Sequence, residues 1–302
     1  MPASRRRLSP SLTARTLKGK VCTGITRDAI PIFAGGKGRQ RMRRTVCGYC
    51  RAHVEAEMTG PVVAPMALLG SGEFEPWASD GERLLLSLAA GDGSVAILPL
   101  ASAPEGETYA DWAHKGLTHF EKLRIPARVV EVKERGDAFK EELLAELARV
   151  SVIFFSGGNP AFLADAVTGT PLGEMLLATL DRGAALAGCS AGACLFGEAS
   201  PESVTDRIEE DTWVTGMRLL PGVWVVPHWD ALGDRVREYF LSRIPPRGVA
   251  LGIDENTMLV RAPDRWVVFG EGSIYVRTGG EELRIRAGGE MPPDALLPAA
   301  SL

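Results

Sequence analysis

Gly188-Cys189-Ser190-Ala191-Gly192 is the stretch of this chain best suited to covalent chemistry. A Gly-x-Ser-x-Gly pattern behind a short apolar run, here Ala184 to Ala187, fits a strand that turns abruptly into a helix. Such a turn holds its serine at the tip, where the hydroxyl can attack. The two glycines give the backbone room to turn. The amide of Ala191, at the expected helix start, can stabilise the negative oxygen of a tetrahedral intermediate. The same residues also suit an ordinary strand-to-helix corner, and context has to separate the two readings.

Other groups supply that context. Ser156-Gly157-Gly158-Asn159-Pro160 closes the most continuously apolar run, Val150 to Phe155. Open α/β sheets place their ligands at such strand ends. Gly157 and Gly158 can bring their amides close to a substrate oxygen, with Asn159 beside it; alternatively Asn159 caps a helix whose first residue is Pro160. His228 ends the run Val223 to Val226, the right place for a general base that takes a serine proton. Asp254-Glu255-Asn256-Thr257 interrupts the apolar stretch Val249 to Val260, and carboxylates inside an apolar strand are costly unless paired or functional. Arg235 and Arg237 are the nearest cations after His228 and could receive an acidic substrate; on a solvated helix face they would do nothing of the kind.

These groups need a frame, and the chain from Met66 onward supplies one by alternating strands with helices. Strands are expected at Met66–Leu69, Ser94–Leu100, Ala127–Val132 and Val150–Phe155, separated by helices at Asp80–Ala90, Glu107–Leu123 and Ala138–Ala148. A helical stretch Ala161–Arg182 leads into the Ser190 strand, so the two Gly-rich turns end consecutive strands, and right-handed crossovers place both at one sheet edge. A helix over Ala231–Arg243 follows His228, and Arg265–Arg286 reads as short antiparallel strands. The fold class is α/β: a doubly wound, mostly parallel sheet between helices, with an antiparallel C-terminal finish.

Composition bounds the remainder. With 302 residues, 45% of them hydrophobic, the chain can bury a full core. No apolar run reaches membrane-spanning length. The five cysteines, Cys22, Cys47, Cys50, Cys189 and Cys194, are an odd number without a signal-peptide pattern, which points to a reducing, cytoplasmic setting. Residues 1–57 carry 13 Lys and Arg against 3 Asp and Glu, leaving 21 against 35 beyond, or +10 against −14. Poor apolar periodicity there predicts a basic, disordered extension, dispensable if translation starts at Met58 or Met66. The domain proper is then 58–302. Cys47-Gly48-Tyr49-Cys50 with His53 and Cys22 makes a poor zinc set, because no second Cys-x-x-Cys pair appears. No metal, cofactor or nucleic acid is expected; the expected partner is a small peptide or amide, with a homodimer allowed.

Four motifs in order, Ser156-Gly157-Gly158-Asn159, Gly188-Cys189-Ser190-Ala191-Gly192-Ala193, Pro227-His228-Trp229 and Gly252-Ile253-Asp254-Glu255-Asn256-Thr257, resemble the cyanophycinase and dipeptidase E family of serine peptidases. The resemblance covers about Met66 to Val276. It implies a fold like that of class I glutamine amidotransferases, with Ser190 as nucleophile, His228 as base, Glu255 as the acidic partner, and Gly158 and Ala191 as the oxyanion amides. Asp254 and the acids Glu202, Asp206 and Glu209 stay open for the third role, since dipeptidase E has been assigned an aspartate between nucleophile and histidine. Glu255 is preferred here because a strand would fix it rigidly. Cyanophycinases carry Asp-Gln before the histidine and a glutamine after the Gly-Gly turn, where this chain has Val226-Pro227 and Pro160. That departure argues against cyanophycin as substrate, and the Pro-His pair looks more like dipeptidase E, which cleaves after an N-terminal aspartate. Two alternatives share the fold: a thiol enzyme using Cys189 or Cys194, and a binding module that keeps the elbow as scaffold.

Overall fold

Alternation along the central strands decides how the layers form. In the computed structural model, which describes residues 64–201 and 213–296, Val152 and Phe154 join Leu85 and Phe120 in one apolar cluster. Ile153 and Phe155 face the other way and pack with Leu163, Leu172 and Leu176. A strand that is apolar on both faces belongs inside a sheet covered by helices on both sides.

The chain enters through β1 (Met66–Leu69), α1 (Ser79–Leu88), β2 (Val95–Leu98), α2 (Thr108–Leu123), β3 (Ala127–Val129), α3 (Glu141–Leu147) and β4 (Val152–Phe155). Helices α4 (Pro160–Val167) and α5 (Pro171–Asp181) precede β5 (Ala185–Cys189) and α6 (Ala191–Phe196). Next come β6 (Ala199–Pro201), β7 (Trp213–Thr215), β8 (Val223–Val226), α7 (Asp234–Arg243) and β9 (Val249–Ile253). The chain finishes with β10 (Thr257–Arg261), β11 (Trp266–Gly270), β12 (Ser273–Thr278), β13 (Glu281–Arg286) and β14 (Glu290–Met291).

The larger sheet has eight strands in the order β14-β11-β10-β1-β5-β4-β2-β3. It is parallel from β1 through β3 and antiparallel where β10, β11 and β14 are added. This is the doubly wound arrangement with an antiparallel finish that the alternation predicts. Strands β4 and β5 are parallel neighbours, so the turns after Phe155 and Cys189 do share one edge. A four-stranded sheet, β13-β12-β9-β8, lies beyond. Its Val223, Val225, Leu251 and Ile253 enter the same core as Phe155 and Phe196.

Three expected elements differ, two of them by being divided. Ala161–Arg182 is two helices, because Gly169 takes φ +67° and Pro171 begins a new helix whose N-cap Thr170 accepts from the Gly173 amide. The helix after His228 starts at Asp234 instead of Ala231, the intervening residues being consumed by a turn on the His228 carbonyl. Val249–Val260 is not one strand: β9 belongs to the smaller sheet and β10 to the larger, and Asp254-Glu255-Asn256 carries the chain between them. Residues 1–57 with the Cys47-Gly48-Tyr49-Cys50 group, and Glu202, Asp206 and Glu209, lie outside the described residues. Among the described residues no helix is long and apolar enough to cross a membrane.

Candidate active site

Strand β5 ends in a turn that only small residues permit. A Cβ on Gly188 would stand 2.3 Å from the Gly192 carbonyl carbon, and one on Gly192 2.6 Å from the Phe155 carbonyl oxygen. The glycines therefore let α6 fold back against β5 and β4. Ser190 is forced to φ 51° and ψ −109°, a conformation that costs a non-glycine residue on the order of 1–3 kcal/mol and tends to sit at functional sites. Its amide donates to the Leu69 carbonyl at 3.0 Å, and its own carbonyl accepts from Ala193 and Cys194. The side chain is thus held clear of the sheet edge.

His228 follows β8 at a second strained turn, with φ 54°. The Trp229 amide donates to the Ile253 carbonyl at 3.0 Å, and the Trp229 ring lies where a Cβ on Gly252 would be, 2.6 Å away. This packing anchors the backbone next to His228. Ser190 Oγ and His228 Nε2 are 2.9 Å apart. On the other ring nitrogen, His228 Nδ1 lies 2.9 Å from Glu255 Oε1. The neutral tautomer that satisfies both contacts donates Nδ1–H to the carboxylate and accepts the serine hydroxyl at Nε2.

Glu255 reaches His228 from a turn and not from within a strand, and its side chain is 45% exposed. Its rigidity comes from the backbone. The Glu255 amide donates to Asp230 Oδ1 at 2.8 Å, and its carbonyl accepts from the Thr257 hydroxyl at 3.0 Å. Asp230, two residues after His228, was not singled out in the sequence; a carboxylate so close to the histidine was the available signal. Asp254 is buried and turned into the smaller sheet, with Oδ2 accepting from the Ser273 amide at 2.9 Å. Burial pushes its carboxyl above the usual range, against the bond from Ser273.

The Gly158 amide lies in the turn after β4. Gly158 takes φ +143°, and a Cβ there would stand 2.3 Å from the Ala101 carbonyl carbon, so only glycine fits. Ala191 is buried at the first position of α6. Neither amide donates to another described residue. Asn159 caps α4: its Oδ1 accepts from the Phe162 amide at 2.9 Å, which spends that oxygen on the helix. Arg237 pairs with Asp234 at 3.0 Å and lies over the Trp229 ring, while Arg235 is exposed. The structure therefore brings Ser190, His228 and Glu255 together, with Arg237 against Trp229, the residue after His228, and Arg235 exposed on α7.

Both described cysteines are free and buried. Burial, and then the neighbouring Glu73 carboxylate, push the Cys189 thiol well above its ordinary range. Burial raises Cys194 to about 12. Both shifts favour the neutral thiol over the thiolate that a nucleophilic cysteine needs. Among the described residues no group of three or more His, Cys, Asp or Glu could hold a metal ion.

A doubly wound sheet that raises a strained serine against a histidine and a carboxylate places the chain among α/β proteins with a serine–histidine–carboxylate site. The family model for peptidase family S51 matches residues 66–267, and the chain belongs to that family, one of serine peptidases. It is similar to the cyanophycinase of Synechococcus elongatus, 34% identical over 152 residues, which are 48% of this chain and 47% of that protein. The cyanophycinase of Trichormus variabilis is 28% identical over 160 residues, 49% of this chain and 52% of that one. The chain thus spans about half the length of the curated relatives it matches. A solved peptidase from an acI-B1 Actinobacterium superposes with a TM-score of 0.69 at 28% identity, covering 76% of this chain and 97% of its own.

Proposed function

We propose that this chain is a serine hydrolase that cleaves a small peptide or amide through an acyl-enzyme. The observation that carries the reading is the pair of 2.9 Å contacts linking Ser190 Oγ, the two ring nitrogens of His228 and Glu255 Oε1. In this reading Ser190 Oγ attacks the scissile carbonyl while His228 Nε2 takes its proton. Glu255 holds the Nδ1–H and stabilises the imidazolium that forms. The free amides of Gly158 and Ala191 receive the developing oxyanion. Collapse of the tetrahedral intermediate breaks the C–N bond, and His228 returns the proton to the leaving amine. Water, deprotonated by His228, then releases the acid and restores Ser190.

The substrate side of the proposal is a dipeptidase E-like exopeptidase. The cyanophycinase name of the relatives supports an amide substrate, while Val226-Pro227 and Pro160 argue against cyanophycin itself. The proposal includes a cytoplasmic setting, supported by the free buried thiols, and leaves room for a homodimer. A fluorophosphonate should label the wild-type chain at Ser190, located by peptide mass spectrometry. A panel of dipeptides with Asp, Asn, Glu or Gly first should then reveal turnover. Iodoacetamide inactivation with no label at Ser190 would overturn the serine reading in favour of a thiol. Labelling of neither kind would leave a binding module.

A further inference from the structure

A second buried carboxylate stands directly behind the elbow. Glu73 is 2% exposed, yet it lies in the Gly70-Ser71-Gly72-Glu73-Phe74 turn after β1. Its Oε1 accepts from the Gly157 amide at 2.8 Å, and the Cys189 thiol donates to its Oε2 at 2.8 Å. One rigid group thereby ties the residue before the nucleophile to the turn that carries Gly158. Burying a carboxylate is expensive, and a sheet edge needs none for stability.

What the carboxylate does follows from the order of amides in that turn. Gly157 and Gly158 are consecutive glycines, so their peptide planes are free to rotate unless something outside the turn holds them. The Gly157 amide is held by Glu73. The Asn159 amide is held by the Ala101 carbonyl at 2.8 Å. Between these two anchors the Gly158 amide alone is left unspent among the described residues. The turn lies against the nucleophile: a Cβ on Gly157 would be 3.3 Å from Glu73 Oε1 and 3.5 Å from Ser190 Cβ. Glu73 is itself immobilised, because the next residue, Phe74, takes φ 63° and packs its ring, tilted by 41°, against Phe154 with centroids 4.8 Å apart.

The geometry points to Glu73 as a positioning residue that sets the oxyanion amide of Gly158 against Ser190, a role that rests on the serine-hydrolase reading above. Glu73 touches no reacting atom. It acts by fixing where the Gly158 amide sits before charge develops, and preorganisation of that kind is lost when the anchor is lost.

The test is the rate of Ser190 labelling by a fluorophosphonate in the full chain, with the limiting rate and the reagent affinity measured separately. Glu73→Ala should lower the limiting rate by about a hundredfold, the order seen when one oxyanion donor is removed, with reagent affinity little changed. Glu73→Gln keeps an acceptor for the Gly157 amide and should stay within about tenfold of wild type. A general structural role would instead reduce the fraction of labelled protein and leave the rate of the folded fraction alone. A folded Glu73→Ala chain labelled at the wild-type rate overturns the inference. If the alanine variant does not fold, Glu73→Gln decides alone: retention within tenfold supports the role, and a larger loss overturns it. Wild-type chain that takes no label at Ser190 overturns the hydrolase reading and this inference with it.

Discussion

Ser190 and Cys189 are neighbours in sequence with opposite fates, because the elbow turns one side chain outward and leaves the other buried against Glu73. Ser190→Ala should therefore abolish hydrolysis. Cys189→Ala should keep most of it while losing about 1 kcal/mol of stability, a common cost for a buried substitution; peptide turnover and urea midpoints measure the two. Glu255→Gln should lower kcat on the order of a hundredfold or more with the melting curve unmoved, since its side chain is half exposed and only its contact with His228 changes. Asp206→Asn should leave turnover within about twofold on the same reading. Asp230→Ala should fall between them, because it frees the Glu255 amide without removing the carboxylate.

At the scale of elements, the strands and the two Gly-rich turns were legible because apolar runs and glycines report directly on burial and on backbone room. Val152–Phe155 and Ala185–Cys189 fall where the pattern put them. The Asp254–Asn256 turn was not legible. A run that is apolar on both sides of a polar tetrad looks like one strand, and nothing local says that its halves belong to different sheets. Glu255 was favoured for being fixed by a strand, whereas its backbone is fixed by Asp230 and Thr257 across the turn. Glu73 carries no local signal, because its partners, Gly157 and Cys189, are distant in the chain. The turn chemistry also predicts sensitivity: Gly188→Ala would press a methyl into the Gly192 backbone 2.3 Å away. It should cost about 1–3 kcal/mol or more, read as a lower urea midpoint together with lost labelling of Ser190.

For the molecule as a whole, acid stability should depend on a carboxylate outside the Ser190–His228–Glu255 group. The Asp137 carboxyl, buried in a turn, is held below its usual range chiefly by the Lys140 ammonium and then by the amides of Lys133 and Glu134. Because its folded pKa lies under the unfolded one, this contribution is complete above the ordinary carboxylate pKa and disappears as pH falls through the lowered value. Asp137→Asn should therefore lower the urea midpoint at about pH 7 and differ far less from wild type near pH 3. Deletion of residues 1–57 should preserve cooperative unfolding and activity, since the βα pattern begins at Met66; a broad, non-cooperative transition in that truncation would count against the boundary.

The passage of the chain from β9 to β10 means that the reactive groups have separate origins. Ser190 rises from the larger sheet, His228 from the smaller, and Glu255 from the joint between them. A half-built molecule thus lacks the contacts of His228 with Ser190 and Glu255, which form only once both sheets have met. Refolding from urea should accordingly show helical signal returning first and Ser190 reactivity last, in step with burial of Trp229 against Gly252. Reactivity that returned ahead of tryptophan burial would mean that the larger sheet is competent by itself.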